Sequence, residues 1–222
     1  IQQAIETVAR YANVQLIDFH EPLYRYPFML PDAVHPTVEG AGILAGVVYS
    51  AITGDYGGLR LSEIYSDNMV LQCGCPLDIH GVADAGEKVT VSIAGQTESV
   101  KAGANGKWAV CLKPLQPGGP HTLTVSTGKR RLHFENVLVG EVWLCSGQSN
   151  MEFMMKEGVD GKVDIPQSGN AGIRLFDMKA RWRTNAVKWD ASVLDSLNHL
   201  QYYANTEWVE CSPKAVADFS AV

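Results

Sequence analysis

From Leu59 to Gly140 the chain is a succession of short apolar runs, alternating with polar residues and cut by turn signals, and this leaves few folds open. Leu59-Arg60-Leu61, Met69-Val70-Leu71, Ile79-His80-Gly81-Val82 and Val89-Thr90-Val91-Ser92-Ile93 come first. Trp108-Ala109-Val110-Cys111-Leu112, Leu123-Thr124-Val125, Leu132-His133-Phe134 and Val137-Leu138-Val139 follow. A period of two puts every second side chain on one face, which is how a half-buried strand reads. The breaks at Asp84-Ala85-Gly86, Ala94-Gly95, Asn105-Gly106 and Pro117-Gly118-Gly119-Pro120 are turn chemistry. About seven or eight strands at this spacing predict an all-β sandwich over residues 58–140. Trp108 is expected in its core, the alternative being a sugar-stacking ring on a binding face. This stretch gathers no acid, base or thiol cluster, so it reads as scaffold or spacer before it reads as a binding module.

The flanks have a different period. Ile5, Val8, Ala9 and Ala12 recur at helical spacing, and Val14-Gln15-Leu16-Ile17-Asp18-Phe19 reads as a strand. After a loop marked by Pro22, Pro27 and Pro31, a second helix is expected from Thr37 to Thr53, stopped by Gly54. Residues 1–55 therefore read as an incomplete α/β piece, because one strand with two helices makes no sheet. In residues 141–222, Glu141-Val142-Trp143-Leu144-Cys145 reads as a buried strand, Ser146-Gly147-Gln148 as a turn and Ser149-Asn150-Met151-Glu152 as a helix start. Gly172-Ile173-Arg174-Leu175-Phe176 is a further strand, followed by a polar loop. Ser212 and Pro213 are the N-cap and first residue of a last helix that the chain is expected to leave unfinished.

Composition narrows the partners. Of 222 residues, 18 are Lys or Arg against 24 Asp or Glu, a net charge of −6, and no basic run exceeds Lys129-Arg130-Arg131. Nucleic acid is a poor partner for such a chain. The longest weakly polar stretch, Ala41 to Ala51, is far short of the ~20 residues that cross a bilayer, so no membrane span is expected. The first residues carry no initiator Met and no signal-peptide n-region, which reads as a processed or excised piece. The cysteines, Cys73, Cys75, Cys111, Cys145 and Cys211, are odd in number. Cys73-Gly74-Cys75 lacks a second pair for a metal site, so no metal is implied and buried thiols are expected.

Two constellations can carry chemistry. A serine at a strand-to-helix turn, as at Gly147-Gln148-Ser149-Asn150-Met151, is held at the carboxyl edge of a sheet with backbone N–H groups close by to receive an oxyanion. Ser149 followed by Glu152 is equally a capping box, which needs no chemistry. In Asp32-Ala33-Val34-His35 a carboxylate three residues before an imidazole can fix its tautomer, as a general base requires, although a surface Asp and a pre-proline His explain the pattern as well.

Gly140-Glu141-Val142-Trp143-Leu144-Cys145-Ser146-Gly147-Gln148-Ser149-Asn150-Met151-Glu152 closely resembles the nucleophile segment of the sialate O-acetylesterases, within the SGNH (GDSL-like) hydrolases. Asp67-Asn68-Met69-Val70-Leu71-Gln72 resembles the opening of that family's β-rich domain. Ile173-Arg174-Leu175-Phe176, Trp208 and Phe219-Ser220-Ala221-Val222 follow in the family's order. Asp32-Ala33-Val34-His35-Pro36-Thr37, with Gly40, resembles the Asp-x-x-His segment that closes an SGNH domain.

The resemblance implies α/β SGNH-type remnants flanking an all-β sandwich: residues 1–55 the end of one hydrolase unit, 58–140 the sandwich, 141–222 the start of a second. It implies Ser149 as nucleophile, His35 as base, Asp32 as its orienting carboxylate, and Gly147, Gln148 and Asn150 around the oxyanion. It implies an acetylated sugar or glycan as substrate, no cofactor, and a secreted, periplasmic or lysosomal setting. The serine comes first in the family, whereas here His35 precedes Ser149 by 114 positions. Tandem units explain that order, and one permuted site is the alternative. The competing class is a non-catalytic β-sandwich with vestigial flanks.

Overall fold

The computed structural model describes residues 2–24, 27–32, 34–147, 149–178 and 206–220. Its centre is a sandwich of seven strands: β1 (Val70–Gln72), β2 (Leu77–Val82), β3 (Lys88–Ile93), β4 (Gln96–Lys101), β5 (Lys107–Leu112), β6 (Gly118–Ser126) and β7 (Arg131–Gly140). One sheet runs β1-β7-β6-β3-β4, and β2-β5 pack over it as a second. All pairs are antiparallel except β1 with β7, which makes the wider sheet mixed.

The alternation of the sequence is what builds the core. Trp108, Val110 and Leu112 point inward from β5 while Lys107, Ala109 and Cys111 point out. Val89, Val91 and Ile93 do the same on β3, and Leu123, Val125, Val137 and Val139 close the layer from β6 and β7. Each fully buried side chain of this size contributes about 1.5–3 kcal/mol. Trp108 is 4% exposed, so it is core and not a binding ring. Gly81 lies against the Arg60 carbonyl and the Trp108 ring, where a Cβ would meet Trp108 Cζ2 at 2.9 Å.

Several local expectations are corrected. Leu59-Arg60-Leu61 is no strand but a single bridge, Arg60 to Val82, because an apolar three-residue run next to Gly57 and Gly58 finds only one partner. Gly118 to Pro120 is not a turn; it opens β6, with register shifts against β7 as far as Leu123. The two runs around Phe134 and Leu138 are one strand that passes through Asn136 at φ +54°. β4 carries no apolar alternation because it is an edge strand, Gln-Thr-Glu-Ser-Val-Lys, whose side chains mostly face water.

The first flank is helical. α1 (Gln2–Ala12) and α2 (His20–Tyr24) precede α3 (Val38–Thr53). Residues 14–18 between α1 and α2 form no strand, since no described segment pairs with them. α3 begins where Thr37 accepts the Gly40 N–H and ends at Gly54, whose φ of +73° favours a residue without a Cβ. The end of α3 is fastened to the sandwich: Ala85 N–H donates to the Gly54 carbonyl at 2.8 Å, and Asp84 accepts from the N–H groups of Tyr56 and Gly58, each at 3.0 Å.

The second flank holds α4 (Ser149–Glu152), α5 (Gly161–Asp164), a hairpin of β8 (Asn170–Phe176) and β9 (Trp208–Cys211), and α6 (Pro213–Ala217). Residues 141–147 are not the expected buried strand. They are unpaired and exposed, Trp143 at 83% and Leu144 at 93%, because no described strand lies beside them. β9 falls where only a polar loop was expected. α6 does close, at Ala217, after which Ser220 bridges to Met154. The hairpin is seated on the sandwich by Trp208, which joins the sandwich core and packs on Phe176 at a centroid distance of 5.2 Å. Beneath it, the buried Arg174 pairs with Glu210 at 3.2 Å, and Asn136 donates to Asn68 at 2.7 Å and to Glu210 at 3.0 Å.

Candidate active site

Asp32 and His35 form the better-defined half. The Asp32 carboxylate divides its oxygens. Oδ1 accepts the backbone N–H of Val34 at 3.0 Å and of His35 at 2.7 Å, and Oδ2 meets His35 Nδ1 at 2.6 Å. The backbone N–H of His35 is the chief reason the carboxyl is held down at about 2, followed by the imidazole and the N–H of Val34. An ionised Oδ2 draws the imidazole proton to Nδ1 and leaves Nε2 as the acceptor, the tautomer a general base needs. The pair sits at the mouth of α3, where Thr37 N–H donates to the Met29 carbonyl at 2.8 Å and fixes the turn. Both side chains are open to solvent, His35 at 81%.

Ser149 is the first residue of α4, and Ser149, Asn150 and Gly147 are all exposed. Gln148 lies outside the described residues. The capping box that competes for Ser149 is not formed among the described residues. Further on, Glu157 accepts the Met154 N–H at 3.1 Å, while its own N–H goes to the Met154 backbone carbonyl at 2.9 Å with no capping side chain. Met151 packs close over Gly147, where a Cβ would meet its Cγ at 2.6 Å.

Sequence reading overlooked the residues that hold the approach to Ser149. Gln72 accepts the Val142 N–H at 2.8 Å and donates to Glu141 at 3.2 Å, and the Cys73 thiol donates to the other Glu141 oxygen at 3.3 Å. That carboxylate raises the Cys73 thiol, which stays protonated and unreactive. Gln72 closes the Asp67–Gln72 run, the one signal that pointed to it. The cysteines also depart from expectation. Cys211 is buried, but Cys111 and Cys145 are exposed, Cys111 because it lies on the outward phase of β5.

Among the described residues no hydrogen bond joins Ser149 to His35. The first flank is held at the β2–β3 turn, and the second departs from the end of β7. Asp84, which grips the residues after α3, bonds Lys129 at 3.2 Å just before β7 begins, and the run to Ser149 leaves from Gly140 where it ends. No group of three or more His, Cys, Asp or Glu among the described residues could hold a metal ion, and no described helix is long and apolar enough to cross a membrane.

No family model matches the chain. It is 34% identical to the sialate O-acetylesterase of Rattus norvegicus over 135 residues, covering 54% of this chain and 24% of that protein. It is 37% identical to that of Mus musculus over 136 residues, 54% of this chain and 25% of that protein. The human sialate O-acetylesterase is 37% identical over 109 residues, 43% of this chain and 20% of that protein. The chain thus spans about a quarter of the length of the curated relatives it matches. A crystal structure of a carbohydrate acetylesterase from Xanthomonas citri superposes with a TM-score of 0.61 at 30% identity, covering 73% of this chain and 34% of that one.

Proposed function

We propose that this chain is part of a serine-dependent carbohydrate O-acetylesterase. The observation that carries the reading is the Asp32–His35 pair, whose free nitrogen is the one a hydrolase uses, in a chain similar to sugar acetylesterases. Ser149 Oγ attacks the acetyl carbonyl while a base of the His35 type takes its proton at Nε2. The oxyanion is received by N–H groups in the Gly147-Gln148-Ser149-Asn150 turn. Collapse of the intermediate passes that proton to the departing sugar oxygen, and water then releases acetate from the serine by the same two steps. The acetylated hydroxyl belongs to sialic acid or a related sugar.

Residues 1–55 carry the Asp–His end of one SGNH-type unit, 58–140 the sandwich, and 141–222 the serine end of another. A fluorophosphonate probe tests the assignment. In the complete reading frame, labelling located at Ser149 and lost on Ser149→Ala supports the nucleophile, and labelling that spares Ser149 removes it. The competing reading is a non-catalytic β-sandwich with vestigial flanks; that Ser149 has no base bonded to it among the described residues is expected under both readings. A chain that takes no label, inside or outside its complete reading frame, would establish the non-catalytic reading.

A further inference from the structure

The two sheets of the sandwich differ in width, and the narrower one leaves part of the inner face of β7 uncovered. Leu132 pairs with Val125, so both point to the same side of the sheet, yet Val125 is fully buried and Leu132 only half-buried. Residues 59–65 roof this seam, and an open groove of about 280 Å³ runs beneath them. Its apolar lining is Leu61 and Tyr65 from that segment and Leu132 and Phe134 from β7. Tyr65 is held in advance by its hydroxyl on the Asp78 carbonyl at 3.3 Å and by edge-on contact with His80 at 6.0 Å. Two cations stand at the rim: Arg60 from the roof and Arg130 from the β6–β7 turn. Arg60 gives one N–H to the Tyr56 carbonyl at 2.6 Å, while the Arg130 guanidinium has no acceptor among the described residues.

We propose that this groove binds a pyranose that carries a carboxylate. The C–H face of a sugar ring lies against the half-buried Tyr65 and Phe134, as such rings do on aromatic side chains. The carboxylate is met by Arg130 and by the remaining N–H groups of Arg60, whose planar forks match its two oxygens. Ser62 and Glu63 on the same rim are left for the hydroxyls. A lining already in place lowers the ordering cost of binding. An apolar peptide would cover the lining but leave Arg130 unmatched, so charge selects the sugar acid. The inference rests on the carbohydrate reading for its ligand class. The groove itself is separate from Asp32, His35 and Ser149, none of which lines it.

The test is a titration of the isotope-labelled chain with N-acetylneuraminic acid and, in parallel, with its methyl ester, followed by backbone amide shifts. Saturable shifts confined to residues 59–65 and 130–134 are expected, with the ester at least about tenfold weaker. Arg130→Gln, a change at an exposed side chain, should weaken the acid about fivefold or more and leave the ester and any acetyl ester turnover as they were. Equal binding of acid and ester, shifts centred elsewhere, no shifts, or indifference to Arg130→Gln each overturns the proposal. Because binding is read without turnover, a chain that binds the acid while its complete reading frame never deacetylates would remove the esterase reading alone. Deacetylation without binding would remove the groove alone.

Discussion

The indole N–H of Trp208 donates to the carbonyl of Ile64 at 2.9 Å, closing a loop of 144 residues between the β8–β9 hairpin and the lip of the sandwich. A ring from the second flank thus completes a core otherwise built from residues 59–137. Trp208→Ala should cost about 3–5 kcal/mol in denaturant unfolding, the range for truncating a buried aromatic. Trp208→Phe keeps most of the ring and strands the Ile64 carbonyl, and should cost about 1–3 kcal/mol. If Trp208→Ala left the unfolding midpoint untouched, the hairpin would be a passenger on the sandwich.

Ser149→Ala should leave the unfolding curve within about 0.5 kcal/mol, because the hydroxyl bonds nothing described and the residue is exposed. In the chain alone, acetyl ester turnover is expected to be negligible and unaltered by the change. Within the complete reading frame the same change should lower the rate of its unit by several orders of magnitude. A chain that by itself hydrolyses acetyl esters, and loses this with either Ser149→Ala or His35→Ala, would make the two flanks one permuted site.

Asp32 gives a pH signature with a definite sign. Its carboxyl titrates near 3.8 in an unfolded chain and at about 2 here, so between those values the unfolded chain holds more protons. The order it lends the loop is complete above 3.8 and is lost as the pH falls through about 2. Side-chain carbonyl shifts of Asp32, read with the amide shifts of Val34 and His35, should share one midpoint close to 2. A midpoint near 4 would mean that the three hydrogen bonds do not persist in solution.

Gly81→Ala should destabilise the sandwich by about 1–3 kcal/mol, the usual cost of overpacking. The added methyl meets the Arg60 carbonyl and the Trp108 ring, so the Arg60–Val82 bridge must open. Thermal unfolding checks the cost, and faster exchange of the Arg60 and Val82 amides locates it.

Where burial and local chemistry agree, the sequence could be read directly. Val89 to Ile93, Trp108 to Leu112 and the α3 caps Thr37 and Gly54 fall where alternation and capping put them. Reading failed where pairing partners decide. Val14 to Phe19 and Glu141 to Cys145 have strand-like composition but no described strand beside them to pair with, whereas polar β4 is a strand because β3 supplies six paired positions. The candidate site divides the same way. The Asp32–His35 contact follows from three residues of spacing and was legible, while any approach of Ser149 to a base depends on long-range geometry that spacing does not encode.

The joint after α3 has a mechanical consequence. Between Gly54 and Gly58 the chain is gripped by Ala85 and Asp84, and the Tyr56 hydroxyl adds a bond to the Ala104 carbonyl at 2.7 Å. Five residues held at four points behave as a bracket and not as a tether. A rotation imposed on α3 would be passed to the sandwich as torque.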